Sequence, residues 1–236
     1  YLIMAEFKIS INQLATFSKV SEARKKAIVK QQKNPPPILV GRYAMAKARI
    51  SKAISNGGDI IPILKGIEEL KKRNPETPWK KNDKSVSIDA MERYIKMSLP
   101  AILKENRYEI LPKQKIRSFF MSDVEILVSP DLIIKVFIDG KWYLGGLKLH
   151  VSKSELFDEN QSKYVATCIY QYLDLVFEDD EIIVLPELCF SLDVFANSII
   201  SAPKKIERAL EEIESMCLEI KKLNSNAISV EAEIFG

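Results

Sequence analysis

The chain has one histidine, three cysteines and eight glycines in 236 residues, and each scarcity excludes a chemistry. With His150 alone, a Ser-His-Asp or Cys-His site would have to be built around that residue, and no GxSxG elbow accompanies it. No GxxxxGK[ST] or GxGxxG stretch occurs, so the usual phosphate cradles of nucleotide-dependent transferases and dinucleotide enzymes are missing. Cys168, Cys189 and Cys217 lie far apart with no CxxC pair, which argues against a disulfide framework or a zinc knuckle and for small apolar core residues. No apolar run approaches the ~18 residues that cross a bilayer, so no membrane partner is expected. The first residues carry no signal-peptide pattern, Met4 is the expected native start, and a reducing cytoplasm is the expected compartment. There is no internal repeat and no low-complexity tract.

What remains is the balance of an ordinary globular protein: 47% hydrophobic and 28% charged residues, enough apolar material for one substantial domain and a smaller lobe. The net charge of +3 names no partner, so the placement of charge matters more than its sum. Between Lys19 and Lys52 stand ten bases and one acid, Glu22. A helical lobe carrying Arg24, Lys25, Lys26, Lys30, Arg42, Lys47 and Arg49 fits a phosphate backbone. It fits equally a solvated helix face.

Apolar spacing predicts one or two helices over 10–33, stopped by Asn34 and Pro35-Pro36-Pro37, then helices over 42–55 and 61–73. Residues 76–87 are polar, bear a proline and show no period, so they read as a linker after a basic N-terminal lobe, 1–75. A helix follows over 87–105, kinked or divided at Pro100. Short β-branched runs then predict strands over 108–111, 116–120, 124–128, 132–138 and 142–151, with a type I′ hairpin at Asp139-Gly140. A helix over 159–177 ends at the acids Glu178 to Glu181, and a strand region over 182–195 is interrupted by Pro186. The stripe Ile206, Leu210, Ile213, Cys217, Ile220 marks a helix over 204–224, better suited to packing on a sheet than to a three-heptad coiled coil. Residues 225–236 are left as a tail.

Within this order, Pro130-Asp131 opens one strand and Gly146-Leu147-Lys148 lies in the next. That arrangement, over roughly residues 88–200 of an α/β core at 88–224, resembles the PD-(D/E)xK nuclease-like superfamily. The resemblance implies a central mixed, mainly antiparallel sheet flanked by helices, as in restriction endonucleases. It also implies a Mg²⁺- or Mn²⁺-dependent nuclease hydrolysing phosphodiester bonds of DNA, with roles in restriction or anti-phage defence. Asp131 would be a metal ligand, and Lys148 would position the attacking water and stabilise developing charge. Glu92, on the preceding helix, matches in general position an acid that many members contribute. The sequence departs from the motif at Gly146, where an acid is expected. Glu125 and Asp123 are the other nominees for that role, and strand alternation places His150 on the same face as Lys148. The alternative implied by Gly146 is an inactive nuclease-fold subunit that binds nucleic acid, or a protein partner or second copy of itself, in a larger complex.

Overall fold

Local signals account for most element boundaries in the computed structural model, which describes residues 7–33, 42–178 and 182–235, with side chains for 7–32, 42–178 and 182–223. Strand β1 (Phe7–Ser10) runs into α1 (Ile11–Phe17), where the Ser10 hydroxyl accepts from Gln13 N and caps the helix. Helices α2 (Glu22–Lys33), α3 (Ala44–Ser55) and α4 (Ile61–Lys72) follow. The triple proline expected to stop α2 lies outside the described residues. Helix α5 (Pro78–Ile95) starts with Thr77 as N-cap and Pro78 in its first turn, and Pro100 separates it from α6 (Ala101–Glu105).

Strands β2 (Tyr108–Leu111), β3 (Ser118–Met121), β4 (Val124–Leu127), β5 (Leu132–Ile138) and β6 (Lys141–His150) come next. The last two are joined at Asp139 and Gly140, whose φ values of 48° and 81° fit the expected I′ turn. Helix α7 (Glu159–Val176) opens on a capping box between Asp158 and Gln161. Strand β7 (Ile183–Asp193), β8 (Ser198–Ser201) and α8 (Glu207–Phe235) complete the chain.

The strands form two sheets, one of five strands in the order β2-β5-β6-β7-β8 and one of three in the order β1-β4-β3. In the larger sheet only β6 and β7 are parallel, and α7 makes the crossover that a parallel pair requires. Alternate side chains of its strands feed two cores. Ile133, Leu144 and Cys189 join α1, α2, α7, α8 and the small sheet on one face. Ile134, Val136, Leu147, Leu149 and Leu192 join α3 to α6 on the other. The fold is therefore α/β, with mixed sheets flanked by helices. Cys168, Cys189 and Cys217 are buried and free.

Several expectations are corrected. Residues 78–87 are the first turns of α5 and not a linker; their outer side is exposed, and core contact begins at Val86, so there was no apolar period to read. The expected lobe at 1–75 has no core of its own, because residues 7–29 and 43–70 pack on opposite faces of the five-stranded sheet. The tail at 225–236 continues the backbone of α8 through Phe235. The interruption expected at Pro186 takes the form of a register jump within a continuous β7, with Leu144 opposite Val184 and Gly146 opposite Cys189. The acids at 179–181, expected to end α7, lie outside the described residues. Among those described, no helix is long and apolar enough to cross a membrane.

Candidate functional site

Asp131 and Lys148 meet where β5 begins beside β6. Continuing their register past Leu132–Leu147 would set Pro130 against Leu149. Proline has no N–H to give, and the ladder stops there. Side chains take over from the backbone: Asp131 Oδ2 accepts from Leu149 N at 2.7 Å, and Asn12 Nδ2 makes a long 3.5 Å approach to Leu149 O. The Pro-Asp pair thus both ends the strand and fastens a carboxylate to its neighbour.

Lys148 donates to Ser129 O at 2.6 Å and stands 3.8 Å from Asp131 Oδ2. The carbonyl is the tighter contact, and Ser129 reaches it with φ of 37°, in the left-handed region that non-glycine residues seldom adopt. The Lys148 side chain is 17% exposed. Burial lowers its pKa most, Asp131 opposes that shift, and Lys47 and Lys113 add like-charge repulsion. Two lysines from separate segments therefore press on Lys148, and Asp131 is the acid that offsets them. No family model and no curated protein matches this chain.

The other expected acids do not join them. Glu125 is on β4 in the three-stranded sheet, 3.1 Å from Lys8 and accepting from Ser118 at 2.7 Å. Burial would raise its pKa, but those two partners outweigh it and lower it. Asp123 sits at the β3–β4 turn and pairs with Lys221. Glu92 is exposed on α5. Among the described residues, no three His, Cys, Asp or Glu side chains are grouped so as to hold a metal ion. The expected set of Asp131, Glu92 and Glu125 therefore does not fit Mg²⁺ or Mn²⁺, which needs several oxygen ligands at close and regular distances.

Gly146 does not mark an open ligand position. A Cβ built there would meet Ile169 Cγ2 at 2.9 Å and Leu173 Cδ1 at 3.1 Å, so α7 occupies the space where an acid would stand. At Gly145 the built Cβ would lie 2.2 Å from Leu188 O, the close backbone approach of the bulge.

His150 is a packed residue. Its ring stacks on Phe157 at 3.6 Å, and Nε2 contacts Glu155 O at 2.6 Å, the neutral tautomer donating to that carbonyl. Burial, aided by Lys47, lowers its pKa against the opposing pull of Glu155 and Asp193. Asp193, opposite His150 in β7, is fully buried and accepts from the backbone N–H groups of Phe157, Phe195 and Ala196 at 2.8, 3.0 and 2.9 Å. It fastens the turn after β7 to the segment before α7.

Four of the seven expected DNA-gripping bases are paired with acids. Arg24 pairs with Glu155, Lys25 with Glu219, Lys26 with Glu22 and Arg49 with Glu69. Arg42 lies over the Tyr43 ring, and Lys30 is exposed. Of the seven, Lys47 is the one whose charge acts on Lys148. Sequence reading missed Asn12, Ser129, Lys113 and Asp193; for Ser129 alone a signal existed, its place directly before Pro130-Asp131.

Proposed function

We propose that this chain is a nuclease-like α/β core that binds DNA at the Asp131–Lys148 end of its sheet without hydrolysing it. The element order supports the resemblance to the PD-(D/E)xK superfamily: helix, antiparallel strands, crossover helix and a parallel strand, with the Pro-Asp and the lysine on adjacent strands. The observation that carries the binding reading is the placing of Lys148, held by Ser129 O beside Asp131, where Lys47 and Lys113 add positive charge around its amine. A partly exposed lysine held by a carbonyl keeps donors for a phosphate oxygen, and desolvation strengthens that contact. Loss of hydrolysis follows from Gly146, whose position is filled by Ile169 and Leu173.

The alternative is metal-dependent hydrolysis by the same pair, with Asp131 as ligand and Lys148 beside it. It requires oxygen ligands that Glu92 and Glu125 do not bring together with Asp131. One experiment separates the two readings. Labelled duplex DNA titrated with protein at low salt gives retention that Lys148→Ala weakens, while plasmid incubated with Mg²⁺ or Mn²⁺ stays intact. Cutting by the wild type that disappears in both Lys148→Ala and Asp131→Ala would restore the hydrolytic reading. No retention on any oligonucleotide would end the binding reading.

A further inference from the structure

The loop between β2 and β3, residues 112–117, lies outside the basic stretch marked in the sequence, and its residues 116 and 117, expected to open a strand, precede β3. Lys113, Lys115 and Arg117 are exposed along it, and none of the three enters an ion pair among the described residues. This sets the loop apart from α2, where Arg24, Lys25 and Lys26 each face a carboxylate. Counterions on the loop are therefore exchangeable, whereas those at Arg24, Lys25 and Lys26 of α2 have already been replaced by protein acids.

The loop is fixed by its backbone while its charges stay free. Tyr172 Oη donates to Ile116 O at 2.6 Å, and the N–H groups of Val128 and Ser129 donate to Arg117 O at 2.9 and 3.1 Å. Side chains supplying charge and main chain supplying anchorage are thus separate, so little backbone order is lost when a ligand docks. Ile116 stands 63% exposed among the cations. An apolar tip between bases suits the sugar and base edges of a nucleic acid better than water.

The loop also adjoins the site. Lys113, Gln114 and Arg117 share a cleft with Ser129 and Pro130, and Ser129 presents its carbonyl to Lys148. Lys113 is close enough to repel the Lys148 amine.

We infer that Lys113, Lys115 and Arg117 form the surface along which the DNA phosphate backbone approaches Lys148, in place of the bases of α2. This inference rests on the DNA-binding reading of the Asp131–Lys148 site.

The test is the salt dependence of affinity for a short duplex, followed by fluorescence anisotropy. Each phosphate contact contributes about 0.9 to the slope of log K against log salt. Replacing all three by glutamine lowers the magnitude of that slope by about 3, and replacing Arg24, Lys25 and Lys26 by glutamine lowers it by less than about 1. The single variant Lys115→Glu, on an exposed side chain, keeps the measurement interpretable if the triple variant folds poorly; it lowers affinity and slope together. If wild type binds and Lys148→Ala weakens it, but the loop variants keep the full slope, the loop assignment falls alone. If the α2 variant carries the larger loss, the assignment is reversed. If wild type binds no duplex, the DNA-binding reading falls and takes the loop with it.

Discussion

A Cβ on Gly146 would stand 2.9 Å from Cγ2 of Ile169. Glycine is therefore needed for α7 to lie on β6, at the position where the nuclease-like motif carries an acid. Gly146→Asp forces the helix outward and buries a carboxylate, costing roughly 1–3 kcal/mol from overpacking alone and more from desolvation. Urea denaturation should register the loss, and the variant should leave plasmid uncut. A variant as stable as wild type that cuts with Mg²⁺ would contradict both the packing argument and the proposed loss of activity.

Asp131 has two tasks, holding Leu149 N and balancing Lys148. Asp131→Ala removes both, leaving a backbone donor unpaired and a lysine without its nearby acid. The expected cost is about 1.5–3 kcal/mol, the range for a hydrogen bond to a charged group. Asp131→Asn keeps an acceptor for Leu149 and should lose less. Equal destabilisation of the two, measured by denaturant midpoint, would mean that the charge and not the strand-end bond is what matters.

His150 makes stability fall on mild acidification. Its folded pKa lies below the ordinary imidazole value of 6.5, chiefly because the ring is buried. As pH falls through 6.5 towards the folded value, the unfolded chain takes up a proton that the folded chain refuses, and stability drops with it. His150→Gln flattens the dependence between about pH 7.5 and 5.5, a window above the main carboxylate titrations. An unchanged slope in that variant would shift the effect to another group.

Lys148 predicts the opposite end of the scale. Its amine is lowered from the ordinary 10.5 mainly by burial, so it loses its proton before exposed lysines do. DNA affinity should therefore weaken on alkaline titration ahead of the general loss of lysine charge. Lys148→Arg, whose guanidinium stays protonated, removes that early phase, as does Lys148→Ala at lower overall affinity. Persistence of the phase in both would assign it elsewhere.

Much of the sheet was legible because its signals are local. Asp139-Gly140 specifies its own turn, and Asp158 with Gln161 specifies the start of α7. The start of α5 was not legible, since a solvated first turn carries no period and Pro78 reads as a breaker unless Thr77 is recognised as its cap. β1 and β8 carry two large apolar residues in four, FKIS and SIIS, where the equally short β2, β3 and β4 carry three, so their signal is weaker. The charge pattern misled for a different reason. Arg24 and Glu155 are 131 residues apart and Lys25 and Glu219 are 194 apart, so these two partners lie far beyond any window over which a basic stretch is judged. Asp131 and Lys148 were found because strand alternation and a Pro-Asp are local features. The failure of Glu92 and Glu125 to join them is a matter of which sheet and helix face they occupy, and that is decided only by packing.

The way the first third of the chain straddles the five-stranded sheet bears on how the protein can be dissected. Phe17 and Ile28 cover one side, and Ile50, Ile63 and Ile67 cover the other. A fragment trimmed to residues 88–224, natural by analogy with a minimal nuclease, would bare oily surface on both sides at once. Such a fragment should precipitate or remain molten, so the Asp131–Lys148 end of the sheet is open to experiment only with its wrapping attached.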